Sequence, residues 1–151
     1  MYSDNESAIL LYKILGDTKL IETYVNLGLI NPQSVSDFNM NVKEYSSFFR
    51  VLYNSSYIGK ESSEFALELL AESRFENGIR SGVPKDVIVS HKFGEQINKD
   101  GVLQLHDCGI IYATKKPYIL CVMTRGDNFN ELTNIIRNIS KIIYDGVIGE
   151  N

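Results

Sequence analysis

Apolar residues in the first half of the chain recur at the three- and four-residue spacing of amphipathic helices. The stretch NESAILLYKIL carries such a stripe, and Gly16 predicts its end. A second helix, KLIETYVNLG, follows the capping residues Asp17 and Thr18 and stops at Gly28. The next stretch, LINPQSVSDFNMN, has no period and predicts a loop. The apolar positions of the two helices are Ile9, Leu10, Tyr12, Ile14, Leu20, Ile21, Tyr24 and Val25.

Two more helices are predicted before the pattern changes. Asn41 precedes VKEYSSFFRVLYN, and Glu44 three residues later completes a capping-box pattern. KESSEFALELLAESRF has helical periodicity as well. The helical part then spans about residues 4–76. The side chains predicted to face inward are Phe48, Phe49 and Leu52 in the first of these helices, and Phe65, Leu69 and Leu70 in the second.

The second half of the chain is typical of β-structure. ENGIRSGVPKD, with two glycines and a proline, marks the change. Three runs rich in β-branched and aromatic residues follow, VIVSHKFGEQI, VLQLHDCGIIYAT and PYILCVMTRG, with KKP as the turn between the last two. Short connections predict a three-stranded antiparallel meander.

A C-terminal helix has the clearest periodicity in the chain. Asn128 is its predicted cap and Gly146 its predicted end. Its apolar stripe is expected to pack on one face of the sheet. The fold class is therefore α+β, in one domain over residues 1–151, with the sheet and terminal helix at about 86–146. The residues of the stripe are Leu132, Ile135, Ile136, Ile139, Ile142 and Ile143.

Composition excludes several classes of protein. The 151 residues suit a single domain, and the net charge of −4 argues against nucleic acid or an anionic membrane as the main partner. No run of 18 apolar residues and no basic leader segment occurs. Cys108 and Cys121 lie in β-like runs, where buried free thiols are the ordinary interpretation. A bridge between them stays open if their strands are neighbours.

A metal site is the first chemical hypothesis to weigh. His91 and His106 approach each other if their strands pair, and Asp107 and Cys108 follow directly. However, the chain has no C-x-x-C or H-E-x-x-H spacing, and neighbouring strand residues point to opposite faces. We therefore assign no metal and no cofactor.

Two short stretches together suggest a different chemistry. Ser3-Asp4-Asn5 precedes the first helix, and Lys92-x-Gly94 lies on the first strand. Separately they are explained by a helix cap and a surface lysine. Their order and context resemble the penicillin-recognising serine hydrolases, that is, class A β-lactamases and penicillin-binding proteins, over about residues 2–145. IRSGVPKDVIVSHKFGE and HDCGIIYATKKPYILCVMTRG are similar to that family's lysine strand and following hairpin.

The resemblance implies roles for four residues. Ser3 would relay a proton between the nucleophile and the leaving nitrogen, and Lys92 would supply positive potential beside it. Asn5 would bind the side-chain amide of the substrate. Gly94 would let its strand lie against the substrate backbone as an added β-partner. The reaction implied is serine acyl transfer on β-lactams or D-Ala-D-Ala peptide ends.

Four departures from the family pattern qualify that prediction. No serine has a lysine three positions later, so the Ser-x-x-Lys nucleophile is missing from these 151 residues. Phe93 replaces a hydroxyl residue that would bind the substrate carboxylate. The loop after Gly28 has no acid before Asp37 that would activate the deacylating water. Cys108 stands where a basic residue often serves the carboxylate, and Arg125 is its candidate substitute.

We expect the chain alone to be catalytically inactive. One hypothesis is a truncated or split hydrolase lacking its N-terminal part; the alternative is a non-catalytic binding or interaction module on the same scaffold. An in-frame Ser-x-x-Lys and a signal peptide upstream of Met1 favour the former. The strand at 117–125 is expected to have an open apolar edge that recruits another copy or a complementing N-terminal segment. A full-length family member would be extracytoplasmic; the location of this chain stays undetermined.

Overall fold

The computed structural model describes residues 3–29, 40–113 and 116–149, so most of the loop that contains Asp37 lies outside them. Within these ranges the helices precede a three-stranded sheet and a terminal helix follows it, which confirms the α+β order. No helix in these ranges is long and apolar enough to cross a membrane. The elements are α1 (Asn5–Asn26), α2 (Val42–Tyr53), α3 (Lys60–Ala71), a 3₁₀ turn (Ile79–Gly82), β1 (Val89–Ile97), β2 (Leu103–Ile111), β3 (Tyr118–Gly126) and α4 (Phe129–Gly149).

The sheet is the predicted antiparallel meander, in the order β1-β2-β3. Its register places Lys92 opposite Cys108, and Cys108 opposite Cys121. Directly opposed residues share a face, so these three side chains form one row across the sheet. The helices α2 and α3 cover this face, and α4 and the 3₁₀ turn cover the other.

Each face of the sheet has its own hydrophobic core. The α4 side holds the larger cluster, in which Leu105, Ile111 and Ile136 are fully buried. The α2 side holds a smaller cluster of Phe49 and Leu67 against Ile110 of β2 and the cysteines. Phe49 is buried as predicted, whereas Phe48 and Leu52 are half-buried.

Helix α1 consists of two helical halves joined at Gly16. That residue has φ 74° and ψ 165°, a conformation that glycine adopts without strain, so the predicted break is confirmed. The helix ends at Asn26, just before Gly28, as expected. None of its residues is buried, and Ile14 is 71% exposed. The predicted apolar stripe of the first half, which includes Ile9 and Leu10, therefore has no cover among the described residues.

The predicted inward face of α3 is wrong in part. Ser63 and Leu67 are buried and Leu70 is half-buried, whereas Phe65 is 61% exposed and Leu69 is also exposed. The Ser63 Oγ donates to the carbonyl oxygen of Ile58, so this buried polar side chain has a partner. The side of α3 that carries Ser63 and Leu67 therefore faces the protein, rather than the side that carries Phe65 and Leu69.

Helix α4 begins as predicted but ends later. The Asn128 side chain accepts hydrogen bonds from the amides of residues 130 and 131, which confirms the cap. The helix continues through Gly146 to Gly149, so the predicted end is wrong. A single glycine inside a helix costs only about 1 kcal/mol, which does not force the helix to stop. Leu132 and Ile136 are buried. Three other stripe residues are exposed because the sheet covers only part of so wide a stripe: Ile135, Ile142 and Ile143.

Candidate functional site

Lys92 lies in the middle of β1, on the face covered by α2. Its half-buried side chain bends along the strand, and Nζ donates to the carbonyl oxygen of Phe93 at 2.5 Å. Nζ also lies 4.9 Å from the centroid of the Phe93 ring, within cation–π distance. Burial lowers the pKa of Lys92, and the negative charge of Asp107 opposes that effect. The ammonium is thus held at the edge of β1, where it loses its proton more readily than an exposed lysine does.

Tyr45 fixes the backbone that carries this lysine. Its hydroxyl donates to the carbonyl oxygen of Lys92 at 2.9 Å, joining α2 to β1. The Tyr45 ring packs edge-on against Phe49, with centroids 6.1 Å apart. Burial, reinforced by the charge of Asp107, raises the pKa of Tyr45, so the hydroxyl remains a donor. Sequence patterns did not predict this contact, because they do not show which face of α2 meets β1.

A buried pair lies on the other side of the sheet. His91 and Asp107 are 1% and 0% exposed, and His91 Nδ1 lies 2.9 Å from Asp107 Oδ1. The backbone amide of Ile79 donates to Asp107 Oδ2 at 2.8 Å. Asp107 therefore ties β1, β2 and the 3₁₀ turn together directly behind Lys92. The hairpin register was the signal that could have found this pair, since it sets Asp107 diagonally opposite His91.

Phe93 and Gly94 complete the centre of β1. The Phe93 ring stacks on Phe75 with centroids 4.1 Å apart and packs against the α4-side core. It offers no hydrogen-bond donor to a carboxylate. A Cβ on Gly94 would lie 3.0 Å from Cδ2 of His106 on β2, so glycine lets that ring sit close to the strand. Burial lowers the pKa of His106.

The outer edge of β1 is open among the described residues. The amide of Tyr112 donates to the carbonyl oxygen of Ile88, which identifies even-numbered β1 residues as the hydrogen-bonded partners of β2. The backbone groups of residues 91, 93 and 95 consequently point outward. An extended chain can pair with this edge, beside the Lys92 ammonium.

Ser3, Asp4 and Asn5 form the start of α1. Asp4 is the N-cap, and its carboxylate accepts from the amides of Glu6 and Ser7. Ser3 has φ 54°, an uncommon conformation for a residue other than glycine. Asn5 is the first helical residue. In the described part of the chain, no hydrogen bond or ion pair joins Ser3 or Asn5 to the β1 site, so their proposed roles stay predictions.

Arg125 lies apart from Lys92 on the same face of the sheet. It is exposed near the end of β3, opposite Gln104 of β2. The two histidines of the metal hypothesis face opposite sides of the sheet, because His106 pairs with Gly94 and His91 with Gly109. The expected approach of His91 to His106 is therefore wrong. Among the residues described, no three His, Cys, Asp or Glu side chains are grouped to hold a metal ion.

Comparison with known proteins bears on the whole chain. Residues 1–147 match the family model described as the beta-lactamase enzyme family. No curated protein sequence matches the chain.

Solved structures share its fold. A class A beta-lactamase from Bacteroides cellulosilyticus DSM 14838 is similar with a TM-score of 0.83 and 22% identity, over 98% of this chain and 60% of that protein. PBP-A is similar with a TM-score of 0.80 and 16% identity, over 97% of this chain and 57% of that protein. A beta-lactamase from Sphaerobacter thermophilus DSM 20745 is similar with a TM-score of 0.79 and 16% identity, over 99% of this chain and 60% of that protein. The chain thus spans about 60% of the length of these structures.

Proposed function

Because the chain belongs to the beta-lactamase enzyme family, we propose that it supplies the Ser3 and Lys92 portion of a serine acyl-transfer site. The substrates are β-lactams or the D-Ala-D-Ala peptide ends that they mimic. The observation that carries this proposal is the Lys92 ammonium, held half-buried at the open edge of β1. A β-lactamase-like scaffold supports the proposal, with PBP-A and class A beta-lactamases as its structural neighbours.

The proposed site divides the reaction among five groups. The substrate backbone pairs with the outward groups of β1 next to Gly94, and Asn5 binds its side-chain amide. Lys92 stabilises the negative charge that develops on the substrate, and Ser3 passes a proton to the leaving nitrogen. The attacking serine comes from a complementing segment, since none of the 151 residues forms Ser-x-x-Lys.

The proposed contact surface for that segment starts at β3. This strand is the second edge of the sheet, and every residue from Tyr118 to Gly126 pairs with β2 alone among the described residues. A groove of about 280 Å³ lies at the start of this strand, lined by Tyr53, Ile110 and residues 117–119. An open edge with apolar side chains pairs readily with another strand.

The exposed flank of α4 extends the same surface. Ser140 faces the 3₁₀ turn, where its Oγ donates to the carbonyl oxygen of Ile79. At 100° per residue, Ile142 lies about 200° around the helix from Ser140. Ile142 therefore points away from the 3₁₀ turn, and it is 69% exposed. The β3 edge and the exposed flank of α4 together form one corner of the molecule, and a strand joined to a helix would fit it.

We assign this corner to a complementing N-terminal segment rather than to a second copy. About 40% of the length of the structural neighbours lies outside the part that this chain covers, and the exposed apolar side of α1 needs cover as well. Light scattering of the chain alone should show concentration-dependent association through the uncovered surface. A one-to-one complex with the in-frame upstream segment should abolish it. A clean monomer at high concentration would contradict the assignment, and so would an unchanged oligomer in the presence of the segment.

The reaction is tested in that complex by intact-mass measurement after incubation with benzylpenicillin. We expect one covalent adduct, carried by a serine of the upstream segment. Lys92→Ala should reduce the labelling rate by at least a hundredfold, whereas the exposed Lys99→Ala on the β1–β2 turn should leave it unchanged.

A non-catalytic binding module is the second candidate, and the packing of Phe93 on Phe75 favours it. In that case the complex binds the ligand reversibly and forms no adduct. A complex that forms but remains unlabelled would therefore overturn the acyl-transfer proposal and support the binding module. Equal labelling of the Lys92→Ala and parent complexes would remove the role assigned to Lys92.

A further inference from the structure

A disulfide joins the central strand to the edge strand of the sheet. Cys108 of β2 and Cys121 of β3 are directly opposed, with Cα atoms 4.0 Å apart. The backbone groups of Cys108 point toward β1, because even-numbered β1 residues are its hydrogen-bonded partners. The pair with Cys121 is consequently of the non-hydrogen-bonded kind, in which opposed side chains lie closest. The sequence left this bridge open, and the structure shows it.

The two sulfur atoms differ in access. Cys108 is fully buried in the α2-side core with Phe49 and Ile110. Cys121 is half-buried and lies on β3, whose outer side has no partner strand among the described residues. A small molecule approaching from this edge reaches Cys121 without displacing the central strand. The two ends of the disulfide are therefore chemically unequal.

The charged groups next to Cys108 do not point at the disulfide. Lys92 is opposite Cys108 in the register, but its Nζ donates to the outward carbonyl oxygen of Phe93, on the side of β1 away from β2. Asp107 precedes Cys108 in the chain, but its side chain points to the other face and bonds His91. Access therefore decides which sulfur is attacked in thiol–disulfide exchange. Cys121 is the accessible point of attack, and Cys108 is the sulfur that leaves.

We propose that Cys108–Cys121 is an exchange site for a small thiol such as glutathione, with Cys121 as the modified residue, when no other strand occupies the β3 edge. The incoming thiolate attacks Cys121 Sγ; a new S–S bond forms there, and the bond to Cys108 breaks. Its electron pair leaves on Cys108 as a thiolate, which takes up a proton from solvent. A second thiolate then removes the mixed disulfide from Cys121, yielding two protein thiols and glutathione disulfide.

The test incubates the oxidised chain with reduced glutathione, traps free thiols with iodoacetamide and maps both cysteines by peptide mass spectrometry. We expect glutathione on Cys121 and the alkyl group on Cys108 in at least ten molecules for each one with the reverse pattern. An equal distribution, glutathione mainly on Cys108, or the absence of a bridge in the oxidised chain would overturn the proposal.

Single-cysteine variants give an independent measurement with glutathione disulfide. In Cys108→Ser, the thiolate of Cys121 should attack and acquire glutathione at least tenfold faster than Cys108 does in Cys121→Ser. Hydrogen exchange on both variants separates local access from global unfolding. If modification of Cys121 is no faster than global unfolding in that variant, the edge-access argument is wrong.

Discussion

Replacing Asp107 with alanine should remove the tie that joins β1, β2 and the 3₁₀ turn. The carboxylate accepts from the Ile79 amide at 2.8 Å and lies 2.9 Å from His91 Nδ1, and both Asp107 and His91 are almost fully buried. Each donor left without an acceptor costs about 1–3 kcal/mol. Two such donors give a loss of about 3–5 kcal/mol in the free energy of unfolding, the range observed when one member of a buried pair is removed.

Urea denaturation followed by circular dichroism measures this loss, and an unchanged slope against urea confirms that the unfolded state is comparable. Asp107→Asn keeps an acceptor for the Ile79 amide and should cost less than the alanine change. The exposed Asp100→Ala, in the β1–β2 turn, is the matched control and should stay within about 0.5 kcal/mol of the parent. An Asp107→Ala chain within about 1 kcal/mol of the parent would refute the assigned role.

Three further predictions concern stability. A Cβ on Gly78 would overlap the Phe75 ring and the Asp107 carboxylate, so Gly78→Ala should lower the melting temperature. Gly146 lies inside α4 with open space around it, so Gly146→Ala should raise stability by about 0.5–1 kcal/mol. A more stable Gly78→Ala chain than Gly146→Ala chain would contradict the packing. Reducing the Cys108–Cys121 bridge should cost about 3 kcal/mol in urea unfolding, the value for a loop near 15 residues, and no change would argue against the crosslink. Burial lowers the pKa of Lys92, so the unfolded chain holds that proton more tightly than the folded chain does. The parent should therefore gain stability relative to Lys92→Met as pH rises toward about 10.4. If the difference in free energy of unfolding between the two chains does not change with pH, the burial effect is excluded.

The sequence patterns predict the order of elements well because each helix and strand carries its own period and stop signals. The capping box at Asn41 and the cap at Asn128 are local interactions, and both are present. The predicted face of α3 is wrong in part because the helix buries Ser63 beside Leu67, and a hydrophobic pattern does not predict that a serine faces inward. The predicted end of α4 is wrong because Gly146 is tolerated inside an otherwise helical segment.

The candidate site divides in the same way between local and long-range information. Lys92 and Gly94 lie on the predicted strand at the expected positions. Tyr45 was not predicted, and Asp107 was considered only as a metal ligand, because their roles arise from contacts across 47 and 28 residues of sequence, to Lys92 and Ile79. Such contacts depend on how elements pack, and single-chain periodicity contains no information about that packing.

We propose above all that this chain holds the lysine edge of a penicillin-reactive site without its nucleophile. Covalent labelling of the isolated 151-residue chain with a fluorescent penicillin tests the claim most directly, with peptide mapping of any labelled residue. The account predicts no labelled serine, even after prolonged incubation at high concentration. Stoichiometric labelling of a defined serine in the folded chain, lost on denaturation, would contradict it.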